Sequence, residues 1–160
     1  MYELFRAYAE YNRAVNEQIC SHIRSMDEAK VRAEHATYYK SILTTLLHPL
    51  RSDIRWLDRL VPGAGEQFAK VDVDNLTTAE YLRIRPQVDA EIIRVVEAKK
   101  AADFGATIRV QFGPTRTVEG PLWKLVLQWF NHQTHHRGQV SVLLDLEGVD
   151  NDYSGMLDKI

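Results

Sequence analysis

The chain has one cysteine, almost no net charge and no long apolar run, and each of these shortages removes a class of protein. Cys20 stands alone, so no intrachain disulfide can form, and a reducing cytoplasm is the expected setting. Acidic and basic residues nearly cancel, at net −2 over 160 residues. Arginine outnumbers lysine, but the arginines look scattered. No basic stripe or basic–aromatic pattern marks a nucleic-acid partner. No apolar run approaches the roughly 20 residues of a membrane span. Met1–Arg6 lacks the basic-then-apolar plan of a signal peptide. There is no internal repeat, low-complexity segment or domain boundary, and residues 1–160 read as one domain with a sizeable core. Cys20 reads as a core filler in the first helix, because no base or metal motif lies beside it.

What the chain does have is helical periodicity. A first helix is predicted from about Tyr2 to Met26, with Phe5, Tyr8, Asn12, Val15, Ile19, Ile23 and Met26 on one stripe. Asn12 interrupts that seam and is expected to hydrogen-bond inward. A second helix is predicted from about Thr37 to Leu60, stopped by Val61-Pro62-Gly63-Ala64-Gly65. Thr77-Thr78-Ala79-Glu80 has capping-box form and opens a third. Pro86 is expected to kink that helix or restart it near Arg85, and its end is expected around Phe104-Gly105. Thr107–Phe112 alternates and is β-branched, Gly113-Pro114 turns, and Thr115–Val118 follows, which predicts a short hairpin lying on the helices. A fourth helix is predicted with Pro121 in its first turn and Gly148 as its stop. The fold class is therefore all-α: a four-helix bundle with a short β-hairpin before the last long helix.

The chemistry lies in that last helix, at Asn131-His132-Gln133-Thr134-His135-His136-Arg137-Gly138-Gln139. His132 and His136 are four apart and project from one helix face, with Cβ atoms roughly 5–6 Å apart. Two imidazoles at this spacing can share a divalent cation. On spacing alone they also suit an ordinary helix surface. Their place in the seam Leu122, Leu125, Trp129, His132, His136, Gln139, Leu143, Leu146 argues for the interior. A buried polar group without a partner costs roughly 2–7 kcal/mol, so two adjacent core histidines need a specific one. His135 lies off the seam, exposed or supporting. A catalytic ion usually takes three protein ligands, and the candidates for the third are His22, His35, His48 and Asp53.

Asn131-His132…His135-His136-Arg137-Gly138-Gln139 resembles the signature of the DinB-like superfamily of damage-inducible helical proteins. Tyr11-Asn12-Arg13 with Asn16 is similar to the opening pattern of that family. Ser41–His48, with Trp56-Leu57 eight residues later, is similar to its second helix, so the likeness covers essentially the whole chain. The resemblance implies an up-down-down-up bundle, a homodimer, and a metal site made by His48, His132 and His136. The residues alone would leave His48 in solvent, because Ser41, Thr44, Thr45, Ser52 and Arg55 surround it on a polar face. Pro49 departs from the family pattern and either bends the chain to turn His48 inward or displaces it.

Imidazole suits zinc, nickel, iron and copper alike. A divalent ion so held lowers the pKa of bound water or deprotonates a bound thiol. Some relatives in the superfamily are thiol-dependent transferases or isomerases. The expected function is a metal-dependent enzyme, a thiol transferase or hydrolase, that activates a thiol or water against a small electrophile. The alternative is a non-catalytic metal-binding stress protein or small-ligand binder. Asp53, Asn131 and Gln139 are candidates for orienting ligands or substrate, against plain roles as a salt bridge, a surface amide and a buried amide. Arg137 is expected in a structural ion pair and Gly138 at a close helix approach. Residues 62–76 and 107–118 are expected to line the mouth of the site.

Overall fold

Two capping boxes start the middle helices. The computed structural model describes residues 1–159. The Thr77 hydroxyl accepts from the Glu80 amide, and the Glu80 carboxylate accepts from the Thr77 amide, which starts α4 (Thr78–Glu97) as its sequence predicts. Ser41 and Thr44 make the same reciprocal pair at the head of α3 (Ile42–Leu60). That cap shortens the helix predicted from Thr37: Lys40 takes φ +66, a left-handed conformation that no α-helix continues through. The first helix, α1 (Tyr2–Ser25), falls where its stripe places it. A one-turn α2 (Glu28–Val31) follows it without a clear sequence signal.

Pro86 neither ends nor restarts α4, and Pro49 does not break α3; both helices run through. The third helix ends at Glu97 rather than near Phe104, which sits in a separate 3-10 turn, Asp103–Gly105. The hairpin forms as β1 (Thr107–Phe112) against β2 (Arg116–Pro121), antiparallel, with Phe112 opposite Arg116 and Gly113 at φ +67 in the turn. Pro121 caps α5 (Leu122–Leu146) rather than entering its first turn. Gly148 ends it at φ +78, with the Val149 amide donating to the Leu144 carbonyl and the Gly148 amide to that of Asp145, a Schellman closure.

The four long helices α1, α3, α4 and α5 form the bundle, and side-chain pairs fix their directions. Phe5 meets Phe130, Tyr8 meets Thr134 and Asn12 meets Arg137, so α1 and α5 run parallel. His48 meets His132 while Asp53 meets Trp129, so α3 runs against α5. Phe5 stacks on Phe104, Asn16 meets Asp89 and Glu28 meets Thr78, so α4 runs against α1. The order is up-down-down-up. Because α3 and α4 are parallel, residues 61–77 must return along the bundle, which they do through 3-10 turns at Glu66–Phe68 and Val73–Asn75.

The core carries an unusual polar centre. Asp53 is fully buried and Arg85 is 2 % exposed. Arg85 donates to Asp53 Oδ2 at 2.7 Å and reaches both oxygens of Asp89, at 2.8 and 3.1 Å. Asn16 Nδ2 completes Asp89 at 2.9 Å. Burial disfavours the Arg85 charge, but Asp89 and Asp53 more than offset it and raise its pKa. The group ties α1, α3 and α4 together below the histidines.

Candidate metal centre

Helix α5 buries two adjacent stripes rather than one. Val126, Phe130, Gln133, Arg137, Val140 and Leu144 form the deeper one. The stripe read from the sequence is its neighbour: Leu122, Leu125, Trp129, His136 and Leu143 are buried, His132 and Gln139 partly so, and Leu146 is 61 % exposed. The histidines therefore sit at the edge of the core, where they meet α3.

His48, His132 and His136 come together there, with one nitrogen from each within 4.8 Å of the others. His132 Nε2 lies 3.1 Å from His48 Nε2 and 3.0 Å from His136 Nε2. Nitrogens sharing a tetrahedral ion at about 2.0–2.1 Å stand roughly 3.3 Å apart, close to the two separations from His132, and the third pair also lies within 4.8 Å. Protons alone do not satisfy the arrangement. Gln139 Oε1 accepts from His136 Nδ1 at 2.7 Å, which leaves a lone pair on His136 Nε2. His132 Nε2 faces that lone pair and His48 Nε2 at once, and it carries one proton at most. A cation at the meeting point can take a lone pair from each ring once the His48 proton lies on Nδ1, the nitrogen that Arg51 Nη2 now approaches at 3.4 Å.

Electrostatics prepare the same outcome. Burial pushes His48 down to about 4, and His132 and Arg51 push the same way. Burial also pushes His136 down to about 4; the Gln139 hydrogen bond opposes the shift, and the two other rings add to it. His132 is lowered by burial, with Asp53 opposing. All three are thus held neutral at pH 7, the state a metal ligand requires. Tyr39 closes one side, its ring 4.7 Å from that of His48 and 5.6 Å from that of His136. The left-handed Lys40 follows it directly.

The remaining candidates do other work. His22 hydrogen-bonds the Tyr153 hydroxyl at 2.6 Å, and His35 pairs with Glu147 at 2.9 Å. Asp53 is no ligand: Trp129 Nε1, Gln133 Nε2 and Arg85 occupy its oxygens. Asn131 and His135 are exposed. Of the three supporting candidates, Gln139 alone orients a ring. Among the described residues Arg137 makes no ion pair; it donates to Asn12 Oδ1 and to Thr134 Oγ1, over the face of Tyr11 at 4.8 Å. The motif-like segments of α1 and α5 thus clasp each other in the core. Gly138 faces open space, with nothing within 4 Å of where a Cβ would sit, so it allows no close approach. Pro49 does not displace His48. It lacks the amide that would meet the Thr45 carbonyl, and α3 carries His48 to the cluster nonetheless.

A cleft of about 580 Å³ opens beside His48 and His132. Trp56, Phe112, Val118 and Leu125 give it an apolar wall, so the hairpin lines the mouth as expected. Residues 62–76 do not line it; they contribute only Asp74, paired with Arg51 at its edge. Sequence reasoning missed the charge of this cleft. Arg51, Arg55 and Arg59 recur every four residues and continue the face that carries His48. Together with Arg116 they gather four of the chain's 13 arginines at one place, while the rest are spread along the sequence.

The DinB family model matches residues 1–155 of the chain. No curated protein matches it.

Proposed function

The chain belongs to the DinB family, and we propose that it holds one divalent metal ion on Nε2 of His48, His132 and His136 and acts on a small electrophile with a thiol or water. The observation that carries this reading is the convergence of three neutral imidazole nitrogens at the edge of an open cleft. When bound, a divalent ion supplies a Lewis-acid position that lowers the pKa of a coordinated water or thiol. The protein's own groups do the rest. Gln139 fixes the tautomer of His136 so that Nε2 faces inward. Tyr39 and the core shield one side of the rings, while His48 and His132 border the cleft. No carboxylate lines that cleft among the described residues, so an attacking water would have no side-chain general base. A thiol needs none once it is ionised, which favours the thiol. The same lack of a base keeps a non-catalytic metal-binding role as the second reading.

Metal analysis of untagged protein tests occupancy, and a panel of model electrophiles with several small thiols tests turnover. About one ion per chain with thiol-dependent turnover is expected. Full metal content in the His132→Ala and His136→Ala variants would overturn the ligand set. Metal bound without turnover across the panel would leave the binder.

A further inference from the structure

Cations from three elements surround the cleft. Arg51, Arg55 and Arg59 come from α3, Arg116 from β2 and Lys124 from α5. These are five of the chain's 20 basic residues, in a protein of net charge −2. Asp74 pairs with Arg51. Among the described residues no carboxylate pairs with Arg55, Arg59, Arg116 or Lys124. Arg59 lies over the Phe112 ring at 4.4 Å and gives its Nε to the Gln111 carbonyl at 3.2 Å, so its fork is held in place. Burial lowers its pKa, and the like charge of Arg55 adds to the effect. A solvated helix face would point such charges outward from one element. Here three elements turn them towards one concave space with an apolar wall.

Concave clefts lined by one sign of charge concentrate counter-charged solutes, and guanidinium forks match carboxylate and phosphate oxygens. The volume suits a small molecule rather than a polymer. We propose that the cleft binds a small molecule carrying at least two anionic groups, carboxylate or phosphate, with its uncharged end at His48 and His132. Only the placement of that end beside an ion rests on the preceding reading; anion binding by the cleft stands without it.

Calorimetry tests this with untagged protein in chelator-treated and metal-reconstituted forms. The probes are succinate, tricarballylate, inorganic phosphate and pyrophosphate, with acetate as the monoanion and acetamide as the neutral control. A polyanion of one series is expected to bind both forms at least about tenfold tighter than acetate, with affinity falling as salt rises. The series that binds identifies the group as carboxylate or phosphate. Arg55 and Arg116 are exposed, so the variant Arg55→Gln/Arg116→Gln is expected to fold, keep its metal and lose about tenfold or more in polyanion affinity. Polyanions no tighter than acetate on either form, or a double variant that binds like the parent, would overturn the proposal. Anion binding to protein that never takes up metal would keep the cleft and remove the metal reading, and metal uptake without anion binding would do the reverse.

Discussion

Gln139 separates holding a metal from folding. It is only partly buried and its one assigned bond is to His136, so its loss should spare the core. Gln139→Leu frees the His136 ring to turn, and metal affinity should fall about 10–100-fold, read by competition with a chromogenic chelator, while the melting curve of metal-free protein stays put. His132 and His136 were legible because helical spacing and a seam both marked them. His48 was not, except through the family resemblance, and the reason is physical. Its neighbours are polar for two reasons: Ser41, Thr44 and Thr45 serve the helix cap and its first carbonyl, while Ser52 and Arg55 line the cleft, and neither pattern differs in sequence from a face in bulk water. The arginines beside it leave no trace in composition or net charge, and only their four-residue spacing places them on one face.

At the scale of elements, the middle helices depend on their caps and on a buried charge cluster. Thr77→Ala removes the hydroxyl that accepts from the Glu80 amide and should cost about 1 kcal/mol in urea unfolding. Arg85→Met should cost more, about 3–5 kcal/mol, because Asp53 and Asp89 would remain buried without their cation. The Thr77 box was readable as a T-x-x-E pattern. The Ser41 box was not, since its partner Thr44 is not the Glu or Gln that usually signals one, and so the start of α3 was placed too early. The buried Arg85 lay outside any periodicity argument, because apolar stripes predict what a helix hides only when it hides apolar groups. Asp53 also sets the register of α3 on α5 through Trp129 and Gln133. A slip of one turn, about 5.4 Å, would take His48 out of reach of His132.

For the whole molecule, stability and metal are linked through protons. The folded pKa of His48 and of His136 is depressed from 6.5 to about 4, so at these two sites the folded state binds fewer protons than the unfolded one, and together they outweigh the opposing rise of buried Asp89 to about 6. Their contribution is complete above pH 6.5 and is lost as pH falls towards 4. Metal-free protein should therefore melt at progressively lower temperature across that window, and His136→Ala should flatten the slope. With free metal at a hundred times its Kd, binding adds about 2.7 kcal/mol, so excess chelator should lower the melting temperature at pH 7. Protons displace the ion, and the gap between chelated and loaded curves should narrow as the solution is acidified.

The hairpin stands apart from all of this. Its ladder closes on itself, its base is tied by the Leu122 amide to the Ala106 carbonyl at 2.9 Å, and Phe112 rests on Trp56. None of the three histidines sits on it. It is thus an interchangeable visor: exchanging Phe112, Arg116 and Val118, which it brings to the cleft, would change which guests are admitted while the imidazoles behind it stayed in place.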